Sequence, residues 1–311
     1  MSERRTSETT EFEQLRRLTF AIAYRMTGSV NDAEEIGQEA FLRLERARHD
    51  GEELESPKAW LSTVTTRLAI DHMRSARARR EQYVGPWLPE PLLTDDAPGP
   101  AEHAEVADSL SQAFLVLLET LTPVERAVFL LREVFGYEYP QIAEAVGKRE
   151  ENCRQIAARA RKHVEARRTR FDADDRRREE LLERFLEASE SGDAATLKTM
   201  LAADAVVYSD GGGKISAARR PFAGVDRIAR FMVKITRSRL ARGNTHRRPA
   251  KVNGQPAQLI FAPNGNVSDV LMLDVADNEI QTIRIVRNPD KLRHLRASSQ
   301  GGVRAWGPLE G

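Results

Sequence analysis

The sequence has a single cysteine, Cys153, among 311 residues. No disulfide can therefore form within the chain and no cysteine cluster can hold zinc, which fits a reducing compartment. Long apolar runs are also missing: none approaches the roughly 18 residues of a membrane span. Met1 to Thr10 is too polar for a secretory signal, so a cytoplasmic protein without membrane contact is expected. Aromatic residues are scarce at 6%, yet hydrophobic residues reach 41% and charged residues 31%. That composition belongs to a core-forming, helix-leaning chain rather than a disordered one. At about 150 residues per domain, the length suggests two domains, or two small modules followed by a third.

An excess of either charge is lacking as well, since the formal net charge is +1. The average conceals a segregation. Between Arg67 and Arg80 there are five arginines and one acid, Asp71; between Cys153 and Arg170 there are seven Arg or Lys and one acid, Glu165. Two separated basic stretches suit a protein that meets phosphates at two places, although a solvated helix face explains either stretch alone.

Proline divides the chain. Pro86, Pro89, Pro91, Pro98 and Pro100 place five of the fourteen prolines within fifteen residues, which no helix or inner strand tolerates. The expected organisation is a helical module at 10–80, a proline-rich linker at 81–107, a second helical module at 108–170, a mixed helix-and-strand domain at 175–295 and a flexible tail at 296–311. In the first module a helix from Glu11 to Thr27 ends at Gly28. Asn31 then caps a second helix with Ala33, Ile36, Ala40, Phe41 and Leu44 inward, and Pro57 starts a third with Trp60, Leu61, Val64 and Leu68 inward. In the second module, Asp108 to about Thr120 is a helix and Thr122-Pro123-Val124-Glu125 reads as a capping box. Tyr139, Ile142, Ala143 and Val146 form an apolar face, Gly147 breaks it, and Cys153, Ile156, Ala160 and Val164 form the next. That spacing is a helix-turn-helix. It places Cys153 in the core and turns Arg154, Gln155, Arg159 and Lys162 outward, where they can reach base edges and phosphates.

These segments resemble the extracytoplasmic-function class of bacterial RNA polymerase sigma factors, of the sigma-70 family. The resemblance is carried by Ala23-Tyr24-Arg25-Met26-Thr27-Gly28-Ser29, Asp32-Ala33-Glu34-Glu35, Gln38-Glu39-Ala40-Phe41-Leu42-Arg43-Leu44, Trp60-Leu61, Arg67 through Ser75, and Leu121 through Phe129. Trp87-Leu88-Pro89-Glu90-Pro91-Leu92, Asp210-Gly211-Gly212-Gly213-Lys214 and Asn288-Pro289-Asp290-Lys291-Leu292 look like three motifs of those sigma factors that carry a SnoaL-like carboxy-terminal extension. The resemblance implies a multi-domain chain: two all-α modules, the second with the helix-turn-helix, followed by an α+β cone of SnoaL-like, NTF2-like type.

It further implies a factor that binds core polymerase and directs it to promoters. Asp32, Glu35, Gln38, Glu39 and Arg43 would dock on the β′ clamp helices. Arg67, Asp71, Arg74, Arg77 and Arg80 would serve the minus-ten element, with the loop from His49 to Ser56 receiving a flipped base. Arg154, Gln155, Arg159 and Lys162 would read the minus-thirty-five element. Trp87, Leu88, Pro89, Glu90, Asp210, Lys214, Asn288, Asp290 and Lys291 would form a regulatory contact between linker and C-terminal domain, with Asp210 and Lys214 presented to Trp87 or Glu90. Two departures from the family pattern are Arg67, where many relatives have asparagine, and the acids Glu150 and Glu151 in the first turn of the recognition helix.

In the third module, helices over 178–201, strands at Ala205–Ser209, Ala257–Phe261, Ser268–Asp274 and Glu279–Arg287, and a helix near Val225–Thr236 are expected. Asp210, His246, Asp269 and Asp274 are the candidate general bases of such a cone, but no spacing pairs one with a partner. No enzymatic activity, metal or cofactor is expected, and an unidentified small-molecule ligand remains an option. The rival readings are a helix-turn-helix regulator with a ligand-sensing domain and a small-molecule isomerase or cyclase fused to a DNA-binding module.

Overall fold

The computed structural model describes residues 2–94, 111–166, 175–243 and 246–295, with side chains omitted over 2–9 and 76–81. The expected flexible tail at 296–311 lies outside the described residues. The chain forms two compact units, one of residues 1–82 with 114–168 and the other of residues 83–113 with 169–311.

The first unit is helical. Its helices α1 (Ser2–Thr27), α2 (Val30–His49) and α3 (Pro57–Glu81) pack around Leu15, Ala40, Leu44 and Leu61, with Phe41, Trp60, Val64 and Leu68 at the rim. Helix α1 starts well before Glu11, because its polar first turns contain no breaker although they lack an apolar stripe. The second helix is capped by Ser29, whose hydroxyl accepts from the Asp32 amide, and not by Asn31. Gly28 at φ 67° makes the turn tight enough for a serine directly after it to serve.

Helices α4 (Gln112–Leu118) and α5 (Pro123–Phe129) follow. The Thr122–Glu125 capping box and Pro123 start α5 as expected. It runs on into a π-helical turn, Leu130–Val134, that the periodicity did not announce. Helices α6 (Tyr139–Val146) and α7 (Glu150–Glu165) are the helix-turn-helix. Gly147 sits at φ 64° between them, a conformation that costs other residues about 1 kcal/mol or more. Val128, Leu131, Ile142, Ala145, Cys153, Ile156 and Ala157 form the core of this module. Burial pushes the Cys153 thiol up, which suppresses the reactive thiolate.

The second unit is α+β. Helices α8 (Asp175–Ser191), α9 (Ala194–Met200) and α10 (Val225–Ala241) cover one face of a six-stranded sheet ordered β2-β1-β6-β5-β4-β3. The strands are β1 (Leu201–Asp210), β2 (Phe222–Ala223), β3 (Arg247–Val252), β4 (Gln255–Phe261), β5 (Val267–Ala276) and β6 (Glu279–Val286). Strands β1 and β6 run parallel and the other neighbours antiparallel. Phe185, Leu186, Met232, Leu271, Leu273, Ile283 and Ile285 lie at the centre of the helix–sheet core. Strand β3 was not expected, since Arg247-Arg248-Pro249 breaks the apolar alternation. As an edge strand it tolerates both the proline and the charges. A 3-10 segment, Pro289–Leu295, follows β6.

Candidate functional site

Polar contacts among the described residues join the two helical modules of the first unit. Arg126 Nη1 donates to the Met26 carbonyl at 2.6 Å and to Glu119 at 2.8 Å. The Ser62 hydroxyl lies 2.5 Å from that of Tyr137. Arg67 Nη2 donates to the Glu144 carbonyl at 2.6 Å, and its Nε to the Ala145 carbonyl at 3.3 Å. These carbonyls belong to the last turn of α6, where main-chain acceptors lack helical partners and a cation is favoured. Arg67 is thus turned to the helix-turn-helix. Asp71 and Arg74 form an exposed ion pair one turn on, while the side chains of Arg77 and Arg80 lie outside the described residues.

On α7, Arg154, Gln155, Ala158, Arg159, Arg161 and Lys162 are exposed, opposite buried Cys153, Ile156, Ala157 and Ala160. The helix therefore presents a basic strip. Arg154 pairs with Glu150 and lies 4.6 Å above the Tyr139 ring, which neutralises one of the two first-turn acids. Arg161 is bound to Glu133. On α2, Glu35, Gln38 and Arg43 are exposed, Glu39 holds Arg43 at 2.7 Å, and Asp32 pairs with His72 of α3 at 3.0 Å. Leu42 stands 53% exposed beside them. Sequence reasoning passed over it, although it is an apolar residue outside the buried stripe of an amphipathic helix.

The second unit contains the most developed polar site. Residues 83–94 of the linker lie in extended form on the α+β domain. Asp210, fully buried at the end of β1, accepts from the Tyr83 hydroxyl at 2.5 Å, the Leu88 amide at 2.9 Å and the Lys291 ammonium at 2.7 Å. Lys291 also donates to the Leu88 carbonyl and lies 4.1 Å over the Trp87 ring and 5.0 Å over that of Tyr83. Asn288 Nδ2 donates to the Tyr83 oxygen at 2.8 Å. Burial and the Asp210 carboxylate hold the Tyr83 phenol well above its ordinary pKa.

Glycine is required at two turn positions. A Cβ on Gly212, itself at φ 59°, would collide with the Asn288 amide, and one on Gly211 with the Ile215 carbonyl. Further along, the Pro89 carbonyl accepts from Gln112 and Glu90 is buried. Leu93 forms a β-bridge to Val252, and Leu92 exchanges bonds with Asn253 in both directions. The linker thereby extends the β3 edge.

The expectation for this contact needs one correction. Lys214 does not meet Trp87 or Glu90; it pairs with Asp290, whose carboxyl is thereby held below the usual range. The ammonium that reaches the linker is that of Lys291, because Lys214 sits on the exposed side of the glycine turn. Tyr83 and Asn253 were missed as anchors. Asn253-Gly254 had a local signal, as a hairpin turn with φ of 55° and 73°.

The four candidate bases are all engaged. Asp210 holds the linker, and Asp269 pairs with Arg287 at 2.5 Å and with Ser268. Asp274 pairs with Arg284, whose guanidinium burial pushes down to about 10. His246 is exposed and lies against the Phe261 ring. Among the described residues no cluster of His, Cys, Asp and Glu has metal-binding form, and no helix is long and apolar enough to cross a membrane.

A helical module carrying basic α3, joined to a helix-turn-helix, is the architecture of a DNA-directed sigma subunit. The model of Sigma-70 region 2 matches residues 12–79, and that of Sigma-70, region 4 matches residues 111–164. The chain is 34% identical to the ECF RNA polymerase sigma factor SigJ of Mycobacterium tuberculosis strain H37Rv, over 94% of this chain and 97% of that one. It is also 34% identical to the probable ECF RNA polymerase sigma factor SigI of M. tuberculosis, strain CDC 1551, over 90% and 93%. The crystal structure of M. tuberculosis SigJ superposes with a TM-score of 0.72 at 32% identity, covering 92% of this chain and 98% of that one. The chain belongs to the ECF RNA polymerase sigma factors, of the type that carries a SnoaL-like C-terminal domain. It directs transcription initiation, with core RNA polymerase and promoter DNA as its partners.

Proposed function

We propose that the SnoaL-like domain regulates this sigma factor by seating the linker that joins its two DNA-binding modules. The observation that carries the reading is the triple use of Asp210 by Tyr83, Leu88 and Lys291. A buried carboxylate satisfied by two linker donors and one domain ammonium fixes the linker at a defined register. Holding residues 83–94 shortens the free chain between the modules at 10–80 and 108–170. Such a domain takes the place of a separate inhibitor or positioning subunit. We read its action as contact rather than turnover, a reading supported by the ion pairs and hydrogen bonds that hold Asp210, Asp269 and Asp274. Chain sites for an unidentified small-molecule effector fall within the same reading, as does work in the cytoplasm.

In this reading the polar face of α2, namely Asp32, Glu35, Gln38 and Glu39 with Arg43, docks on the β′ clamp helices. Arg67, Asp71, Arg74, Arg77 and Arg80 serve the minus-ten element, and Arg154, Gln155, Arg159 and Lys162 the minus-thirty-five element. Those two elements lie about 25 base pairs apart by their names, or roughly 85 Å at 3.4 Å per step. In this reading the modules part to reach both elements, and Arg67 leaves the carbonyls of α6 before it meets phosphate.

The test is reconstituted transcription with core polymerase, comparing the full chain with a truncation after about Arg170 and with Lys291→Met. A change in promoter output or in promoter choice is the expected outcome. Unchanged binding and transcription in both variants would refute the regulatory role and leave the family membership intact.

A further inference from the structure

A third basic stretch runs from Lys214 to Lys251, with twelve Lys or Arg and one acid, Asp226, in a chain whose formal net charge is +1. Like charges gathered in this way repel one another unless they are paired or serve a partner. Four of the twelve are paired within the domain: Lys214 with Asp290, Arg239 with Glu190, Arg247 with Glu183 and Lys251 with Asp175. Of the rest, Arg227, Arg230, Lys234 and Arg237 lie on α10.

These four recur at i, i+3, i+7 and i+10. At 100° and 1.5 Å per residue they fall within about 80° of arc and along about 15 Å of helix. All four are exposed, while Ile228, Ala229, Met232 and Val233 of the same helix enter the helix–sheet core. Among the described residues none of the four is ion-paired. Arg227 lies 4.6 Å over the Phe222 ring. The single acid, Asp226, is bound by Lys198 of α9, which is the main cause of its lowered pKa, with Arg230 a lesser one. Helix α8 shows the contrast. There Arg176 and Arg177 pair with Glu180, and Arg178 with Asp175, so an equally arginine-rich helix neutralises itself.

The chemistry of the strip selects its partner. Protein interfaces have an apolar centre, and helices that lie on membranes bury an apolar face in the lipid. The exposed large apolar residues among those described are Phe12, Leu42 and Val84, none of them on α10. Interfaces with nucleic acid are polar and strongly positive, and arginine, three of the four here, suits phosphate oxygens through its planar fork of donors. A length of about 15 Å matches the axial span of four or five phosphates of one strand. Promoter DNA is already a partner of this chain, so a polyanion of that form is present where the factor works.

We infer that the exposed face of α10 binds the phosphate backbone of duplex DNA without reading its sequence. The C-terminal domain thereby has a DNA contact of its own, besides those of the two helical modules. The inference uses none of the residues of the linker seat and stands whether or not that seat regulates the factor.

The experiment follows binding of the full-length chain to two unrelated fluorescein-labelled duplexes of about 30 base pairs by anisotropy, over about 50–300 mM KCl. One variant combines Arg230→Gln, Lys234→Gln and Arg237→Gln, leaving Arg227 on its ring. The control combines Arg176→Gln, Arg177→Gln and Arg184→Gln, which removes the same charge from exposed positions of α8. The α10 variant should bind both duplexes at least about tenfold more weakly near 100 mM salt, and its slope of log K against log salt should fall by about 2–3, at roughly 0.9 per phosphate contact. The control should lose no more than about threefold. Lys234→Ala, a single change at an exposed site, should lower the slope by about 0.9 and covers the case in which the triple variant fails to fold. Core polymerase, titrated without DNA, should bind both triple variants as it binds the unmutated chain. Five outcomes would each overturn the proposal: no salt-dependent duplex binding by the unmutated chain up to about 100 µM, unchanged duplex affinity in the α10 variants, equal losses in the α8 control, loss confined to one duplex, or loss of polymerase affinity in place of duplex affinity.

Discussion

The guanidinium of Arg67 rests on the main-chain carbonyl of Glu144, so a basic residue of α3 is occupied by the first helix of the helix-turn-helix. Because Arg67 is exposed and its acceptors are main-chain oxygens, the contact contributes about 1 kcal/mol to the closed form. Arg67→Ala should shift the population toward separated modules by roughly fivefold. Dyes placed on α3 and α7 report the change by energy transfer, and an unaltered distance distribution would show that the contact carries no weight.

Removing the ammonium from the linker seat leaves Asp210 buried without its counter-charge. Lys291→Met should lower stability by about 3–5 kcal/mol, whereas the double change Asp210→Asn with Lys291→Met should recover part of that loss. Chemical denaturation of the three proteins measures both. Equal stability of the single and double variants would mean that the unpaired carboxylate is not the source of the loss.

Alkaline pH provides a second probe of the seat. The folded pKa of Tyr83 lies above its unfolded value, through burial first and the Asp210 hydrogen bond second. Its contribution is therefore present below about pH 10 and is lost as pH rises beyond that value. Tyrosinate absorbance on alkaline titration should show a late-ionising phenol, absent in Tyr83→Phe. Identical titrations of the two proteins would argue against the bonded phenol.

The capping box gives an acid-side counterpart. Glu125 has its pKa lowered by the Thr122 hydroxyl and then by the Thr122 amide. Its stabilisation is present above the unfolded value and lost as pH falls through the folded one. Thr122→Ala should cost about 1 kcal/mol near neutrality, with the deficit shrinking in acid; thermal unfolding at several pH values tests this.

Leu42 is the apolar element of the α2 face. Leu42→Asp should leave thermal stability within about 0.5 kcal/mol, since the side chain is exposed. Association with core polymerase, followed by fluorescence anisotropy, should weaken about tenfold or more. Retained affinity would place docking elsewhere.

Much of the helical architecture was legible because its signals are local. Apolar spacing, Gly28, Gly147, Pro57 and the Thr122 box each act within a few residues. The sheet was less so. Edge strand β3 hides its pattern behind Arg247, Arg248 and Pro249, and the π-helical turn has no periodicity of its own. The linker seat could be anticipated only through motif resemblance, which named Asp210, Asn288 and Lys291 but turned Lys214 to the linker and missed Tyr83. Lys214 and Lys291 are both lysines near Asp210 in the fold, but burial selects the second, and no spacing in the chain encodes that choice. The Arg67 contact was invisible for the same reason, since its acceptors are carbonyls that every residue possesses.

Lys291 meets the Leu88 carbonyl across 203 positions of chain. At translation rates of about 5–20 residues per second, the tether emerges from the ribosome roughly 10–40 s before its lysine is made. On the proposed reading, each new molecule consequently passes through an interval in which both helical modules exist and the linker seat does not. Any polymerase captured during that window would meet a factor whose linker is not yet held by its C-terminal domain.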